Sequence, residues 1–153
     1  MKVDMNREYC LSVWNPCYAD AMNQIERVQK KFTRMFYYKF GIQHPRPPYR
    51  ERLQNLKLQS LETRRLNSDE IMLHKLIHNR VDSTLGQRLS FRQQVRTTRH
   101  NTVFYLPRMV TNYQMNAPVH RLQRNHDLFF GDLDIIGNAS ASFDKAVKGY
   151  FIW

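Results

Sequence analysis

From Tyr18 to Tyr38 the apolar residues recur at three- and four-residue steps: Ala21, Ile25, Val28, Phe32, Met35 and Phe36. That period sets them on one stripe of an α-helix. Pro16, just upstream, suits the entry to such a helix. Arg27, Lys30, Lys31 and Arg34 follow the same rhythm, centred on the opposite face. A chain built around this segment must bury the stripe against other elements, so a helical bundle is the expected product.

The rest of the chain supplies those elements. Gly41 ends the long helix, and His44-Pro45-Arg46-Pro47-Pro48 forms a stiff connector. A short helix follows from Tyr49, with Tyr49, Leu53 and Leu56 facing inward. Ser60 is the expected N-cap of a helix running to Asn79, with Glu62 in its first turn. Its buried residues are Leu61, Leu66, Leu73, Leu76 and Ile77. Asp82-Ser83 starts another short helix containing Leu85 and Leu89. Residues 92–117 lose the helical period and read as irregular or extended. Pro118 opens a helix through Val119, Leu122 and Phe129. Gly131 to Asn138 reads as a loop, and Ser142 as the cap of a last helix carrying Phe143, Val147 and Phe151. The fold class expected is mainly α: a small irregular helical bundle with an irregular segment around residues 92–117. With 5 Gly and 6 Pro, the chain has too few tight-turn residues for a barrel or sandwich.

Charge narrows the choice of partner. The 24 Lys and Arg against 13 Asp and Glu give a net charge of +11, a field that attracts polyanions. The excess is concentrated: between Arg27 and Arg65 there are eleven Lys or Arg and two acids, Glu51 and Glu62. A face of this kind binds RNA or DNA backbone without reading sequence, because each cation at a phosphate releases counterions. The candidate nucleic-acid-binding residues are Arg27, Lys30, Lys31, Arg34, Arg50, Arg52, Arg64 and Arg65. Tyr37, Tyr38 and Tyr49 lie close enough in sequence to stack on unpaired bases. The competing reading makes the cations of the long helix only its solvated face, but solvated faces usually mix signs. A basic amphipathic helix also suits a membrane surface; here the apolar stripe is read as core, and no membrane partner is expected.

Other signals are weaker. Cys10 and Cys17 are too few for a disulfide framework or a metal quartet and are read as free buried thiols. No apolar run exceeds four residues, so no membrane span is expected. Met1 to Glu8 lacks the apolar stretch of a signal peptide, which points to an intracellular chain, nuclear or cytoplasmic. Tyr18-Ala19-Asp20 has Ala21 where a polymerase Tyr-x-Asp-Asp box needs a second metal-binding carboxylate, so it is read as chance. His74 and His78 share a helix face but lack further ligands, and packed or surface histidines are the default. No catalytic residue, metal, cofactor or small-molecule substrate is expected.

Arg7-Glu8-Tyr9-Cys10-Leu11-Ser12-Val13-Trp14-Asn15-Pro16 resembles the leu-glu-tyr-x-ser-x-val-trp-x-pro stretch that follows the palm in reverse transcriptases of jockey-like non-LTR (LINE-type) retrotransposons. Ile25-Glu26-Arg27-Val28-Gln29-Lys30-Lys31-Phe32-Thr33-Arg34 is similar to that family's ile-glu-x-val-gln-lys-x-phe-x-arg helix. Tyr49-Arg50-Glu51-Arg52-Leu53 and Ser60-Leu61-Glu62-Thr63-Arg64-Arg65 resemble its tyr-x-x-arg-leu and ser-leu-glu-x-arg-arg pair. Thr98-Arg99, Ala117-Pro118-Val119-His120-Arg121, Asn125 to Leu133 and Ser142-Phe143-Asp144-Lys145 resemble its later elements, in order. Two departures are His126-Asp127-Leu128-Phe129, where the family has leu-pro after the asparagine, and the divergent end Gly149 to Trp153. The resemblance implies a non-catalytic fragment of an RNA-directed DNA polymerase. Its missing palm and fingers would be partners, and residues 1–91 would form a thumb-like segment. Residues 92–153 would hold the irregular segment and two C-terminal helices, as a second or a continuous domain. The alternatives are a domesticated protein-interaction module, or a relic reading frame without function.

Overall fold

The computed structural model describes residues 15–40, 47–81, 84–93 and 102–150. It is mainly helical: α1 Ala19–Lys39, α2 Tyr49–Asn55, α3 Leu61–Ile77, a 3-10 turn Gly86–Arg88, α4 Asn112–Met115, α5 Pro118–Phe129 and α6 Ser140–Tyr150. Among the described residues the only β pairing is a single antiparallel bridge between Phe91 and Phe104. No helix of the described residues is long and apolar enough to cross a membrane. The chain divides into two compact units, with the division between Arg65 and Leu66, inside α3. Leu66 and the helix beyond it pack with residues 103–147.

In the first unit, residues 15–65, α1 starts after Pro16 with Asp20 in its first turn and Lys39 in its last, each suited to the helix dipole. Pro48 stands at the N-cap of α2, where a missing N–H costs little. The end of α2 turns sharply: Leu58 N–H donates to Leu53 O at 2.9 Å and Lys57 N–H to Gln54 O at 3.0 Å. This pair of hydrogen bonds closes the helix with Lys57 at φ 52°, a position glycine usually takes. Ser60 caps α3 as expected, its Oγ accepting from Thr63 N–H at 3.1 Å.

One carboxylate on α1 ties these pieces together. Glu26 Oε1 accepts from the Tyr49 hydroxyl on α2, and Oε2 accepts from Leu61 N–H at the start of α3 at 3.1 Å. Gln29 adds a bond from Nε2 to Gln59 O at 2.9 Å. The anchored face of α1 is therefore Met22, Glu26, Gln29, Thr33 and Tyr37, of which Thr33 and Tyr37 are fully buried. This corrects the expected apolar stripe. Ile25, Val28 and Met35 are 44%, 51% and 62% exposed, while Ala21, Phe32 and Phe36 are half-buried. The helix has rotated to satisfy its polar anchors, which are worth more than the apolar surface they displace when they bond a charge.

The second unit, from Leu66 onward, holds the larger core. Leu73 and Leu76 of α3, Phe104, Leu122 of α5, Phe130, Ile135, and Phe143 and Val147 of α6 form one buried cluster. Each such side chain contributes roughly 1.5–3 kcal/mol by leaving water. Phe130 occupies the place expected for Phe129, which is exposed, because the last turn of α5 presents the following residue to the core. The final helix begins at Ser140 rather than at Ser142. Leu85 and Leu89 pack on the core; they flank the 3-10 turn Gly86–Arg88 as its caps, where a short helix containing both was expected, and its expected start at Asp82-Ser83 lies outside the described residues.

The core also encloses polar groups. Arg121 meets Asp69 side-on, Nε to Oδ2 at 3.2 Å and Nη2 to Oδ1 at 3.3 Å, and Asn125 Nδ2 donates to Asp69 Oδ2 at 3.1 Å. His126 Nδ1 lies 2.8 Å from Glu70 Oε1, both fully buried. His74 stacks on Phe143 with ring centroids 4.1 Å apart, and its Nε2 donates to Asn138 O at 3.1 Å. α3 and α5 are thus joined by the Arg121–Asp69 ion pair and the His126–Glu70 hydrogen bond as well as by apolar packing.

Candidate nucleic-acid interface

The basic face lies on α1. Arg27, Lys30, Lys31 and Arg34 are all exposed, at the spacing that puts them on one side of a helix. The only acids of α1 are Asp20 and Glu26, and Glu26 is turned inward to Tyr49 and Leu61. From Arg27 to Lys39 the helix carries no carboxylate. Lys30 sits at the edge of this face, with its Nζ 5.3 Å from the centre of the Tyr49 ring, a favourable cation–π distance.

The four other candidate arginines divide. Arg50 is exposed and Arg64 is half-buried; loss of water around Arg64 pulls its pKa below the usual guanidinium value. Arg52 and Arg65 are each 5% exposed, and this corrects their assignment to an open basic face. Arg52 falls three residues after Tyr49 and lays its guanidinium 5.7 Å from that ring. Arg65 falls four residues after Leu61 and donates from Nε to the Leu61 carbonyl at 2.9 Å. Long apolar stems let arginine do this, and a count of charges along the sequence cannot detect it.

The three tyrosines separate in the same way. Tyr37 is buried. Tyr49 is half-buried, with its hydroxyl given to Glu26; burial first, and then the Glu26 bond and charge, hold its phenol well above the usual range. Tyr49 therefore stays a neutral donor. Tyr38 is exposed on the basic side of α1.

A cleft of about 380 Å³ opens in the first unit beside this face, lined by Ala19, Met22, Asn23, Glu26, Lys30, Tyr49, Ser60, Glu62 and Arg65. Its charges are mixed, and Glu26, Tyr49 and Arg65 already bond one another or the helix backbone. The cleft holds α1 to the start of α3; its polar groups serve the fold.

Other sequence signals resolve as follows. His74 and His78 are packing histidines with ring centroids 4.3 Å apart, bonded to the Asn138 and Ile135 carbonyls. Among the described residues no group of three or more His, Cys, Asp or Glu is placed to hold a metal ion. Asp20 is exposed in the first turn of α1. Cys17 is a free thiol but exposed, since it precedes α1 in the entry segment and not in the core; Cys10 lies outside the described residues. Arg121 and Asn125, singled out only by the family resemblance, prove to be partners of the buried Asp69. Asp69, Glu70 and His126 carried no signal in the sequence.

No protein-family profile, curated protein or solved structure matches the chain.

Proposed function

We propose that this chain is a non-catalytic helical segment that holds RNA or DNA by its backbone through the exposed face of α1. The observation that carries the reading is the set Arg27, Lys30, Lys31 and Arg34, exposed on one side of a helix whose neighbouring carboxylate, Glu26, is spent inside. A cationic line without interleaved acids suits a phosphate chain better than bulk solvent. The ordered motifs shared with non-LTR reverse transcriptases support an origin in the region that follows the palm, so the chemistry would belong to a partner or parent polypeptide. Replacing Arg27, Lys30, Lys31 and Arg34 by Gln tests the face. Fluorescence anisotropy with labelled oligonucleotides of unrelated sequence should show all of them weakened together. Unchanged binding would clear α1 of the role. A reading frame upstream of Met1 that encodes a palm with a Tyr-x-Asp-Asp box would support the origin, and an unrelated upstream sequence would remove it.

A second reading, a protein-interaction module, is favoured by one observation. Ile25, Val28 and Met35 stand exposed in a line beside the half-buried Phe32 and Phe36. Contiguous apolar surface of this kind marks protein contact sites. Sedimentation with and without Ile25→Ser and Val28→Ser separates the two readings. Self-association of the parent chain that these changes abolish would favour the second.

A further inference from the structure

Tyr38 continues the basic line of α1. It follows Arg27, Lys31 and Arg34 at steps of four, three and four residues, so the four side chains stack along one side of the helix. At a rise of about 1.5 Å per residue the line is roughly 16 Å long, the reach of a few nucleotides. Tyr38 is 78% exposed, and among the described residues neither its ring nor its hydroxyl has a partner. Tyr37 and Tyr49 have no such freedom, the first buried and the second committed to Glu26, Lys30 and Arg52. A free aromatic face at the end of a row of cations is the arrangement by which proteins hold unpaired bases, with the ring taking the base and the cations the backbone. A continuous duplex offers no base face to such a ring, because each base is covered by its neighbours.

We infer that the ligand of the α1 face carries an unpaired base, as a single strand or a junction of single strand and duplex. That base stacks on Tyr38, and the adjoining phosphates lie along Arg34, Lys31 and Arg27. The inference rests on the reading of α1 as a nucleic-acid face, and names the ligand class within it.

The test uses the full chain and three anisotropy probes: oligothymidylate of about a dozen nucleotides, the same backbone with abasic residues, and a blunt duplex of similar length. Tyr38→Ala should weaken oligothymidylate by about tenfold or more, the usual loss when a stacking ring is removed. It should leave the abasic strand and the duplex within about twofold, and Tyr38→Trp should restore oligothymidylate binding. Because Tyr38 is exposed, circular dichroism of the variants should match the parent. An equal loss on all three probes overturns the inference, and so does no loss on oligothymidylate. Salt-sensitive binding of all three probes that ignores Tyr38 leaves the basic face standing and removes the stacking alone. Binding to none of the probes removes the basic-face reading, and this inference falls with it.

Discussion

The buried Asp69–Arg121 pair makes a quantitative prediction. Asp69 is almost fully buried, and the bonds it accepts include two from Arg121 at 3.2 and 3.3 Å and one from Asn125 at 3.1 Å. Asp69→Ala takes that carboxylate away from a guanidinium that is itself 7% exposed in its side chain. Removing one member of a buried pair costs about 3–5 kcal/mol, most of it the penalty on the charge left behind. The lost bond from Asn125 lies within that range and is not added to it, since the three groups form one network. A domain of this size is stable by about 5–15 kcal/mol, so Asp69→Ala removes about a fifth of it or more. The assay is urea unfolding followed by far-UV circular dichroism, with slopes compared between variants to confirm that only stability has changed. Asp69→Ala, Arg121→Ala and the double variant complete a cycle. The double should cost clearly less than the sum of the singles, with a coupling energy of about 2–3 kcal/mol. Additivity within about 0.5 kcal/mol would refute the claim that this pair joins α3 to α5. A single Asp69→Ala cost below about 1 kcal/mol would refute it equally.

Two further perturbations follow from local geometry. Burial holds the His74 imidazole below its usual pKa; the bond to Asn138 opposes that shift and the neighbouring His78 adds to it. The unfolded chain therefore takes up the proton first as pH falls. His74 contributes stability that is whole above about pH 6.5 and is lost on acidification toward its folded pKa. Unfolding free energies from urea titrations between pH 7 and pH 5 should fall more steeply for the parent than for His74→Leu, by up to about 1.4 kcal/mol per pH unit; parallel curves would contradict this. Lys57 pays for a positive φ at the end of α2, so Lys57→Gly should stabilise the chain by about 0.5–1 kcal/mol. A lower thermal midpoint for that variant would show that the Lys57 side chain contributes something its backbone does not.

Much of the architecture is legible in the sequence because it is local. Tyr49, Leu53 and Leu56 announce α2, the Ser60 hydroxyl announces the start of α3, and Pro118 announces α5; each signal needs only neighbours within a turn or two. The face by which α1 packs is not local. It is set by Glu26 reaching Tyr49 and Leu61, 23 and 35 residues away, so a rule that seats the most apolar stripe inward chooses Ile25, Val28 and Met35 and is misled. Arg52 and Arg65 fail for a related reason: their positive charges register in the sequence, while the aromatic ring and the carbonyl that receive them do not. The cations of α1 were readable because an exposed basic stripe requires no distant partner. The buried Asp69, Glu70, Arg121 and His126 were not, since the bonds that pair them span 52 and 56 residues.

The central claim, that α1 offers a phosphate-binding face, is tested most directly by salt. The logarithm of the affinity for a single-stranded oligonucleotide, measured from about 50 to 200 mM salt, should fall along a line of slope near −3 if Arg27, Lys30, Lys31 and Arg34 each reach a phosphate. Replacing those four residues by Gln should remove most of that slope. A flat line for the parent chain, or a slope that survives the four substitutions, would contradict the account.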